Sequence, residues 1–204
     1  MARGRKPNRK WSLWPSKHAE VCQLLQQDGL QLRFNHQDDD ESCIETYDTN
    51  IMGLFHCNNS NCQTVAWSSK CIAITIRMYP GMRYNARVYH QHCLQCNFLS
   101  KPDLDDSYAD RVAYRLKKWN GIAVEPPDYI KKQSPPHEED HCEGCKAGHC
   151  LKSLTRRFQQ LVVAGRSDVT TFATSLLWRH FGRFHRKLFT SSSCISYLRS
   201  SFDL

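Results

Sequence analysis

Three short stretches decide the fold of this chain: CNNSNC at residues 57–62, CLQC at residues 93–96 and HEEDHCEGCKAGHC at residues 137–150. Their cysteines stand at short gaps, and the third stretch begins with His137. Zn²⁺ is bound by thiolate and imidazole, and a short gap lets two side chains of one turn face the same ion. Seven cysteines and one histidine are enough for two sites of four ligands, so the sequence predicts a structural zinc module.

A β-hairpin is predicted between the first two stretches. Residues 71–79 have the sequence CIAITIRMY, Pro80-Gly81 is typical of a turn, and residues 83–90 return as a second strand. This hairpin would end directly at Cys93 and carry the second cysteine pair back to the first. One Zn²⁺ is therefore expected at Cys57, Cys62, Cys93 and Cys96. His90 and His92 are the best alternatives if Cys62 lies too far away, and His56 is a weaker one.

The third stretch predicts the second site. The Pro-rich residues 120–136 would form a stiff loop that leads to His137. Gly144 and Gly148 permit the tight turns in which backbone N–H groups point at thiolate sulfur. The expected ligands of the second Zn²⁺ are His137, Cys142, Cys145 and Cys150. His149 could replace either His137 or Cys150.

Four further cysteines lie outside these groups: Cys22, Cys43, Cys71 and Cys194. Cys71 begins a predicted strand and could be a ligand, but it has no partner at the required spacing, so a structural or free thiol is the favoured interpretation. Cys22 falls in a predicted helix and is expected to be a small buried residue. Cys43 has no nearby partner in the sequence.

Two segments have helical periodicity. Val21, Leu24 and Leu25 form an apolar stripe, in a helix that would begin after an N-cap at Ser16 and end at Gly29. Residues 103–119 repeat apolar side chains at helical spacing, with acidic residues early and basic residues late, and this helix should pack against the hairpin.

The expected fold class is α+β: a small zinc-stabilised β-hairpin or β-sheet core with one or two packed helices and flexible basic tails. Composition divides the chain into a disordered basic tail at residues 1–10, a zinc-binding domain at residues 11–150 and a basic tail at residues 151–204 that is partly helical or disordered. The acidic run at residues 38–41 lacks the alternate spacing and the glycine of a calcium loop, so a solvated turn is expected there.

The net charge of +8 is unevenly distributed. Residues 1–10 carry five Arg or Lys and no acid, whereas residues 152–204 carry nine basic and two acidic side chains. Residues 11–151 hold fourteen basic and eighteen acidic side chains, a net charge of −4. A nucleic-acid-binding zinc finger needs a basic face on the folded module. RNA binding would therefore have to use the basic tails.

The cellular setting is predicted from the cysteines and from the apolar runs. The chain has an odd number of cysteines, eleven, with short-gap pairs and no signal peptide, which favours reduced thiols on metal over a disulfide framework. Its apolar runs are too short for a transmembrane segment. We therefore expect an intracellular, soluble protein, cytoplasmic or nuclear and not secreted.

No motif of an enzyme accompanies the zinc pattern. The His-x-Glu and Pro-Cys-x-x-Cys signature of a zinc deaminase, a Gly-rich phosphate loop and a Gly-x-Ser-x-Gly elbow are all missing from the sequence. Both predicted sites have enough ligands to close, which is typical of structural zinc. The expected function is a non-enzymatic module that binds an unknown protein partner, with RNA binding as the alternative.

Longer motifs accompany the cysteines, and together they point to a family. They are YDTNIMG at residues 47–53, WSSK at residues 67–70, RYNARVYHQ at residues 83–91, and Pro136-His137 with CEGCKAGHC at residues 142–150. From about Trp11 to Cys150 the chain resembles the 3CxxC-type zinc-finger family, which includes the receptor-transporting and zygote arrest proteins, and it looks closest to fungal members.

The resemblance implies zinc binding through the paired cysteines and the associated histidine. Those roles carry over to Cys57, Cys62, Cys93, Cys96, His137, Cys142 and Cys145, and to Cys150. Receptor-transporting relatives assist membrane receptors to the cell surface, and zygote arrest relatives bind RNA. This chain departs from the pattern in the four-residue gap between Cys57 and Cys62. It also lacks the membrane-anchoring C-terminal segment of receptor-transporting proteins, and residues 151–204 lie outside the resemblance.

Overall fold

A central β-sheet organises the protein, in a computed structural model that describes residues 9–127, 136–153 and 156. The described strands are β1 (Trp11–Ser12), β2 (Arg33–Phe34), β3 (Glu45–His56), β4 (Ala66–Tyr79), β5 (Arg83–Tyr89), β6 (Gln91–His92), β7 (Leu99–Ser100) and β8 (Pro102–Leu104). The main sheet has the antiparallel order β1-β5-β4-β3-β8, and β2 pairs with β5 in parallel. β6 and β7 form a separate antiparallel pair. The fold is therefore mixed α+β, as the sequence predicts.

The predicted hairpin is confirmed as β4 and β5. Tyr79 pairs with Arg83 across the turn, where Gly81 has a φ of 76° that an L side chain rarely adopts. β4 starts five residues before the predicted strand, at Ala66, because it also pairs along the length of β3.

A bulge in β4 keeps two aromatic rings in the core. Between the pairs Ile51–Ile72 and Gly53–Ser69, β4 has one residue more than β3. Because successive side chains of a strand alternate between faces, the extra residue moves Trp67 to the same face as Phe55. The two rings stack there, with their centroids 5.1 Å apart.

The helices cover one side of the sheet, which we call the first face. They are α1 (His18–Gln26) and α2 (Ser107–Trp119), with α3 (Glu143–Ala147) elsewhere near the cysteines. Leu25 and Leu116 from the first two helices pack with alternate β4 side chains such as Ile74 in one buried apolar cluster. Burial of this cluster removes large apolar side chains from water, the dominant favourable contribution to folding.

The start of α1 corrects one prediction. Ser16 is not the N-cap, because a 3-10 turn at Pro15–Lys17 precedes the helix and Lys17 occupies the N-cap position without a side-chain hydrogen bond. The pyrrolidine ring of Pro15 fixes a helical φ, so the chain already turns before Ser16, and the Lys17 N–H donates to the Trp14 carbonyl at 3.1 Å.

The opposite side of the sheet, the second face, is buried although it is polar. Arg77 is only 2% exposed and donates to Asp38 and, at 2.6 Å, to Asp40. Arg87 donates to the same two carboxylates at 2.7 and 2.9 Å. The expected solvated turn at residues 38–41 is confirmed, since most of its residues are exposed. Two of its carboxylates have a further role that was not predicted, because they neutralise a buried guanidinium that would otherwise be very costly to bury.

The predicted basic tails lie almost wholly outside the described residues. Of residues 1–10 and 151–204, the described part includes only residues 9–10, 151–153 and 156. The division of the chain into three regions stays a prediction. Within the described residues, no helix is both long enough and apolar enough to cross a membrane.

Candidate metal centres

The first metal centre joins the end of β3 to the loop after β6. The sulfur atoms of its four cysteines lie within 4.8 Å of one another. Cys57 Sγ is 3.4 Å from Cys96 Sγ, and Cys62 Sγ is 3.8 Å from Cys93 Sγ. The hairpin thus returns the second cysteine pair to the first, as the sequence predicts.

The loop at residues 57–62 folds back so that its four-residue gap still brings both cysteines together. The Cys62 N–H donates to the Asn59 carbonyl at 2.9 Å, and the Asn61 N–H donates to Asn59 Oδ1 at 3.1 Å. Asn59 also donates to Cys96 and lowers the pKa of that thiol to about 6. A lowered thiol pKa favours the thiolate that zinc binds.

Gln95 ties the two loops of the first centre together. Its Oε1 atom accepts hydrogen bonds from the Thr64 backbone N–H at 3.0 Å and from the Thr64 hydroxyl at 2.9 Å. Cys62 Sγ lies 3.3 Å from the same oxygen. The sequence analysis missed this residue; its place inside CLQC was the available signal.

The alternative histidines of the first centre have other partners. His90 Nε2 lies 2.9 Å from the Ser12 hydroxyl, and His56 Nε2 lies 3.3 Å from Asp103. His92 bridges the Asn97 carbonyl at 2.9 Å and Glu143 at 2.8 Å. The group that could hold one zinc ion at the first centre is therefore the four cysteines.

The second centre lies on the second face of the sheet. The donor atoms of His137, Cys142, Cys145 and Cys150 lie within 4.8 Å of one another. His137 Nε2 is 3.1 Å from Cys145 Sγ and 3.5 Å from Cys150 Sγ. All three cysteines are buried.

Local backbone conformation explains how the third stretch forms a pocket. Cys142 forms an isolated bridge with Gln91, which anchors the stretch beside β6, and α3 starts immediately afterwards. Gly148 ends this helix with a φ of 78° and turns the chain toward Cys150. Gly144 faces Ala73 so closely that an added Cβ would lie 2.3 Å from the Ala73 Cβ.

The electrostatics of the second centre suit a cation. Burial alone would lower the pKa of His137, but the neighbouring Cys142 and Cys150 sulfur atoms raise it to about 10. Hydrogen bonds from Cys142 and Cys145 hold the pKa of Cys150 far below its ordinary value. Hydrogen bonds with Cys142 and Cys150 raise the pKa of Cys145, so without a metal ion the neighbouring sulfur atoms share protons among themselves. Around His137 the pocket stabilises positive charge, which is the role of a metal ion.

His149 lies beside the second centre and not in it. Its Nδ1 atom is 3.0 Å from both carboxylate oxygens of Asp48, and its ring stacks on Tyr89 at a centroid distance of 5.5 Å. Asp48 also accepts a hydrogen bond from Thr75 at 2.6 Å. His149 therefore supports the packing of the third stretch against the sheet.

Three other cysteines lie within the described residues, and they differ in their surroundings. Cys22 is expected to be a small buried residue, but it is only half-buried, with its Sγ 3.4 Å from His18 Nε2. Cys43 Sγ donates to the Glu45 carbonyl at 3.0 Å. Cys71 is buried, and its Sγ lies 3.8 Å from Cys150 Sγ, which makes it a fourth sulfur at the second centre, beside the four-donor group.

Glu143 connects the two centres and the N-terminal segment. It is buried in α3 and contacts His92 beside the first centre, Lys146 in its own helix and Lys10 at 3.3 Å. Burial alone would raise the pKa of Glu143, but hydrogen bonds from Lys146, His92 and Lys10 lower it to about 2. A carboxylate at this position therefore stays ionised near neutral pH.

Comparison with known families agrees with this geometry. Residues 50–148 match the 3CxxC zinc-ribbon family, described as a zinc-binding domain. The matched range includes all the proposed donors except Cys150. No curated protein and no solved structure matches the chain significantly. The chain contains a zinc-binding domain whose two clusters fit two zinc ions, and the assignment of each individual ligand stays a prediction.

Proposed function

We propose that this chain, with its zinc-binding domain of 3CxxC zinc-ribbon type, is a non-enzymatic module that binds a protein partner beside the first metal centre. The observation that carries the proposal is the exposure of two large apolar side chains there. Val65 is 77% exposed and Leu94 is 65% exposed, one on each loop of the centre.

The two apolar side chains stand on a rigid frame. The Gln95–Thr64 hydrogen bonds hold the two loops in a fixed relation, and Cys57 N–H donates to the Val65 carbonyl at 3.0 Å. A surface that is ordered before binding loses little conformational entropy when it binds. Leu54, which pairs with Asp103 at the same end of the second face, adds further exposed apolar area. We call Leu54, Val65, Leu94 and Asp103 the first-centre face.

Charge favours a partner that combines apolar and basic side chains. Four thiolates around one Zn²⁺ leave a net charge of −2 at the first centre. The Asp103 side chain on the same face is 74% exposed, and residues 11–151 are negative overall. A positively charged partner would be attracted to this negative face and would associate faster, whereas an acidic surface would be repelled.

The closed donor sets support a binding role over catalysis. Each cluster offers four donors, which fill the tetrahedral coordination of zinc and leave no position for a reactive water. Zinc would then supply stability, because a site with thiolate ligands binds the ion only in the folded chain. Such a module would work in a reducing compartment, the cytoplasm or the nucleus, where its thiols stay reduced.

The test places a photo-crosslinking amino acid at position 65 of the full chain, and at position 44 as the control. Ile44 is also exposed, at 51%, but it lies outside the first-centre face. We expect a protein to be crosslinked in cells at position 65 and not at position 44. The purified partner should then bind a Val65→Ser, Leu94→Ser double variant at least about 10-fold more weakly, and Ile44→Ser with unchanged affinity. Equal binding by all variants would contradict the proposal.

RNA binding through the basic tails is the alternative, favoured by the positive charge of residues 1–10 and 152–204. A single-stranded RNA oligonucleotide titrated against the full chain would distinguish the two functions. RNA affinity through Lys and Arg falls steeply with salt, because each phosphate contact releases counterions. Strong, salt-dependent RNA binding whose affinity is unchanged by Val65→Ser and Leu94→Ser would favour the alternative. A receptor-trafficking role, implied by the family resemblance, would be one form of protein binding.

A further inference from the structure

The second metal centre has one sulfur more than a tetrahedral zinc site needs. Cys71 Sγ lies 3.8 Å from Cys150 Sγ, while His137, Cys142 and Cys145 complete the four-donor group with Cys150. Cys71 is 9% exposed and Cys150 is fully buried, so neither sulfur is an ordinary surface thiol. A fourth sulfur, in contact with a ligand sulfur but outside the four-donor group, calls for a role other than ligation.

We propose that Cys71 and Cys150 form an oxidation site, in which peroxide converts the pair to a disulfide and removes one ligand from the second centre. In this reaction Cys150 is the sulfur that is oxidised first, and Cys71 is the resolving thiol. The proposal does not depend on the protein-binding function.

The reaction balances in two steps. The Cys150 thiolate attacks one oxygen of hydrogen peroxide, the O–O bond breaks, and Cys150 sulfenic acid and hydroxide are formed. The Cys71 sulfur then attacks the sulfenic sulfur, the S–O bond breaks, and the Cys71 proton leaves with the hydroxyl group as water. Two cysteine sulfur atoms are oxidised by one peroxide, which is reduced to water and hydroxide.

The geometry needs only a small movement to close the disulfide. The two sulfur atoms must approach from 3.8 Å to about 2 Å, a change that side-chain rotation and a small loop shift can supply. Cys71 is held in β4, where its carbonyl accepts a hydrogen bond from Gln91 at 2.9 Å. Cys150 follows the left-handed Gly148 at the end of α3, so we expect Cys150 to make most of the movement.

The chemical result differs between the two centres. At the second centre the disulfide removes Cys150 alone, and His137, Cys142 and Cys145 remain as donors. At the first centre the described residues include no fifth sulfur in the cluster, so a disulfide there consumes two ligands. Oxidation of the Cys71–Cys150 pair would therefore weaken one zinc site reversibly and leave most of its donors in place.

The experiment treats the zinc-loaded full chain with one equivalent of hydrogen peroxide. Non-reducing peptide mapping is expected to show a Cys71–Cys150 disulfide, and a chromogenic chelator should detect the release of up to one zinc per chain. Addition of dithiothreitol and zinc should restore the original zinc content. A Cys71→Ser variant lacks the resolving thiol, so Cys150 should accumulate as sulfenic acid, which dimedone traps, and then as sulfinic acid, which dithiothreitol does not reduce.

Two matched variants show whether another thiol resolves the sulfenic acid. Cys43→Ser removes a thiol in the loop before β3, and Cys194→Ser removes one outside the described residues. Both should form the Cys71–Cys150 disulfide at the wild-type rate. The proposal is overturned if the disulfide maps to other cysteines, or if wild type and Cys71→Ser give the same products with the same recovery of zinc.

Discussion

At the scale of single residues, Gly144 decides how close the third stretch comes to the sheet. A Cβ at this position would lie 2.3 Å from the Cβ of Ala73, in the middle of β4. Neither Cβ can rotate away, because each is attached directly to the backbone. Only a backbone shift of α3 could relieve the contact, and α3 carries Cys145 and follows directly after Cys142.

Gly144→Ala should therefore destabilise the protein by about 1–3 kcal/mol, the usual cost of overpacking, and weaken zinc binding at the second centre. Ala73→Gly combined with Gly144→Ala should recover part of both losses, because it removes the opposing Cβ. Ala147→Ser, at an exposed position of the same helix, is the control and should behave as wild type. Thermal unfolding and zinc content measure both effects, and a double variant no better than Gly144→Ala would contradict the explanation.

His90 is a second residue with a measurable effect, in this case on how the stability of the protein depends on pH. Burial, assisted by the nearby positive charge of Lys101, lowers its pKa from 6.5 to about 4. The unfolded chain therefore binds a proton more readily than the folded one between these two values. The pH-dependent contribution of His90 to the free energy of unfolding is therefore complete above pH 6.5 and is lost as the pH falls toward 4.

Between pH 7.5 and pH 5.5, wild type should lose about 1 kcal/mol more stability than His90→Gln, whose side chain does not titrate. The thiolates also make the free energy of unfolding depend on pH. Both proteins contain the same thiols, so the difference between wild type and His90→Gln isolates the contribution of His90. The measurement is the free energy of unfolding in denaturant at each pH, and parallel pH profiles for wild type and His90→Gln would contradict the expectation.

At the scale of elements, the two metal centres stabilise different parts of the fold. The first centre joins loops next to the short β6–β7 pair, and three of its four cysteines are half-buried. The second centre packs against Ala73 and Tyr89 on the second face, and its cysteines form a buried cluster with them. Loss of the second centre should therefore expose much more of the sheet.

Wild type should contain two zinc ions per chain, and Cys62→Ser and Cys150→Ser should each lose one. Cys150→Ser should destabilise the protein by about 4 kcal/mol or more, since loss of a metal is among the largest single-residue effects, and Cys62→Ser by clearly less. Cys43→Ser is the control and should keep both ions. Atomic emission and thermal unfolding give the measurement. Two zinc ions in Cys62→Ser would contradict the four-cysteine donor set.

At the scale of the whole molecule, a helical layer and a metal layer cover opposite faces of one sheet. The first face is apolar and packs against α1 and α2, whereas the second face is polar and is covered by the third stretch and by Asp38 and Asp40. Glu143 joins the N-terminal Lys10 to both metal centres. Residues 11–151 carry a net charge of −4, whereas residues 1–10 and residues 152–204 are positive.

The sequence by itself determined the features that depend on spacing along the chain. Gaps of a few residues between zinc donors predicted both clusters, because ligands of one turn must lie close together. Alternation and the Pro80-Gly81 turn predicted the β4–β5 hairpin, and helical periodicity predicted α2, whose first residue, Ser107, lies four residues after the predicted start. Each of these features follows from local geometry, which the order of residues expresses directly.

Only the tertiary structure decided the contacts between distant segments. Cys71 and Cys150 are 79 positions apart, and Arg77 and Asp38 are 39 apart, yet each pair is in contact on the second face. The closeness of Gly144 to Ala73 likewise depends on how the third stretch docks on β4. Such contacts arise from the packing of whole elements, which no local pattern records. The physical reason is that burial and charge neutralisation act between neighbours in space, whatever their separation in the chain.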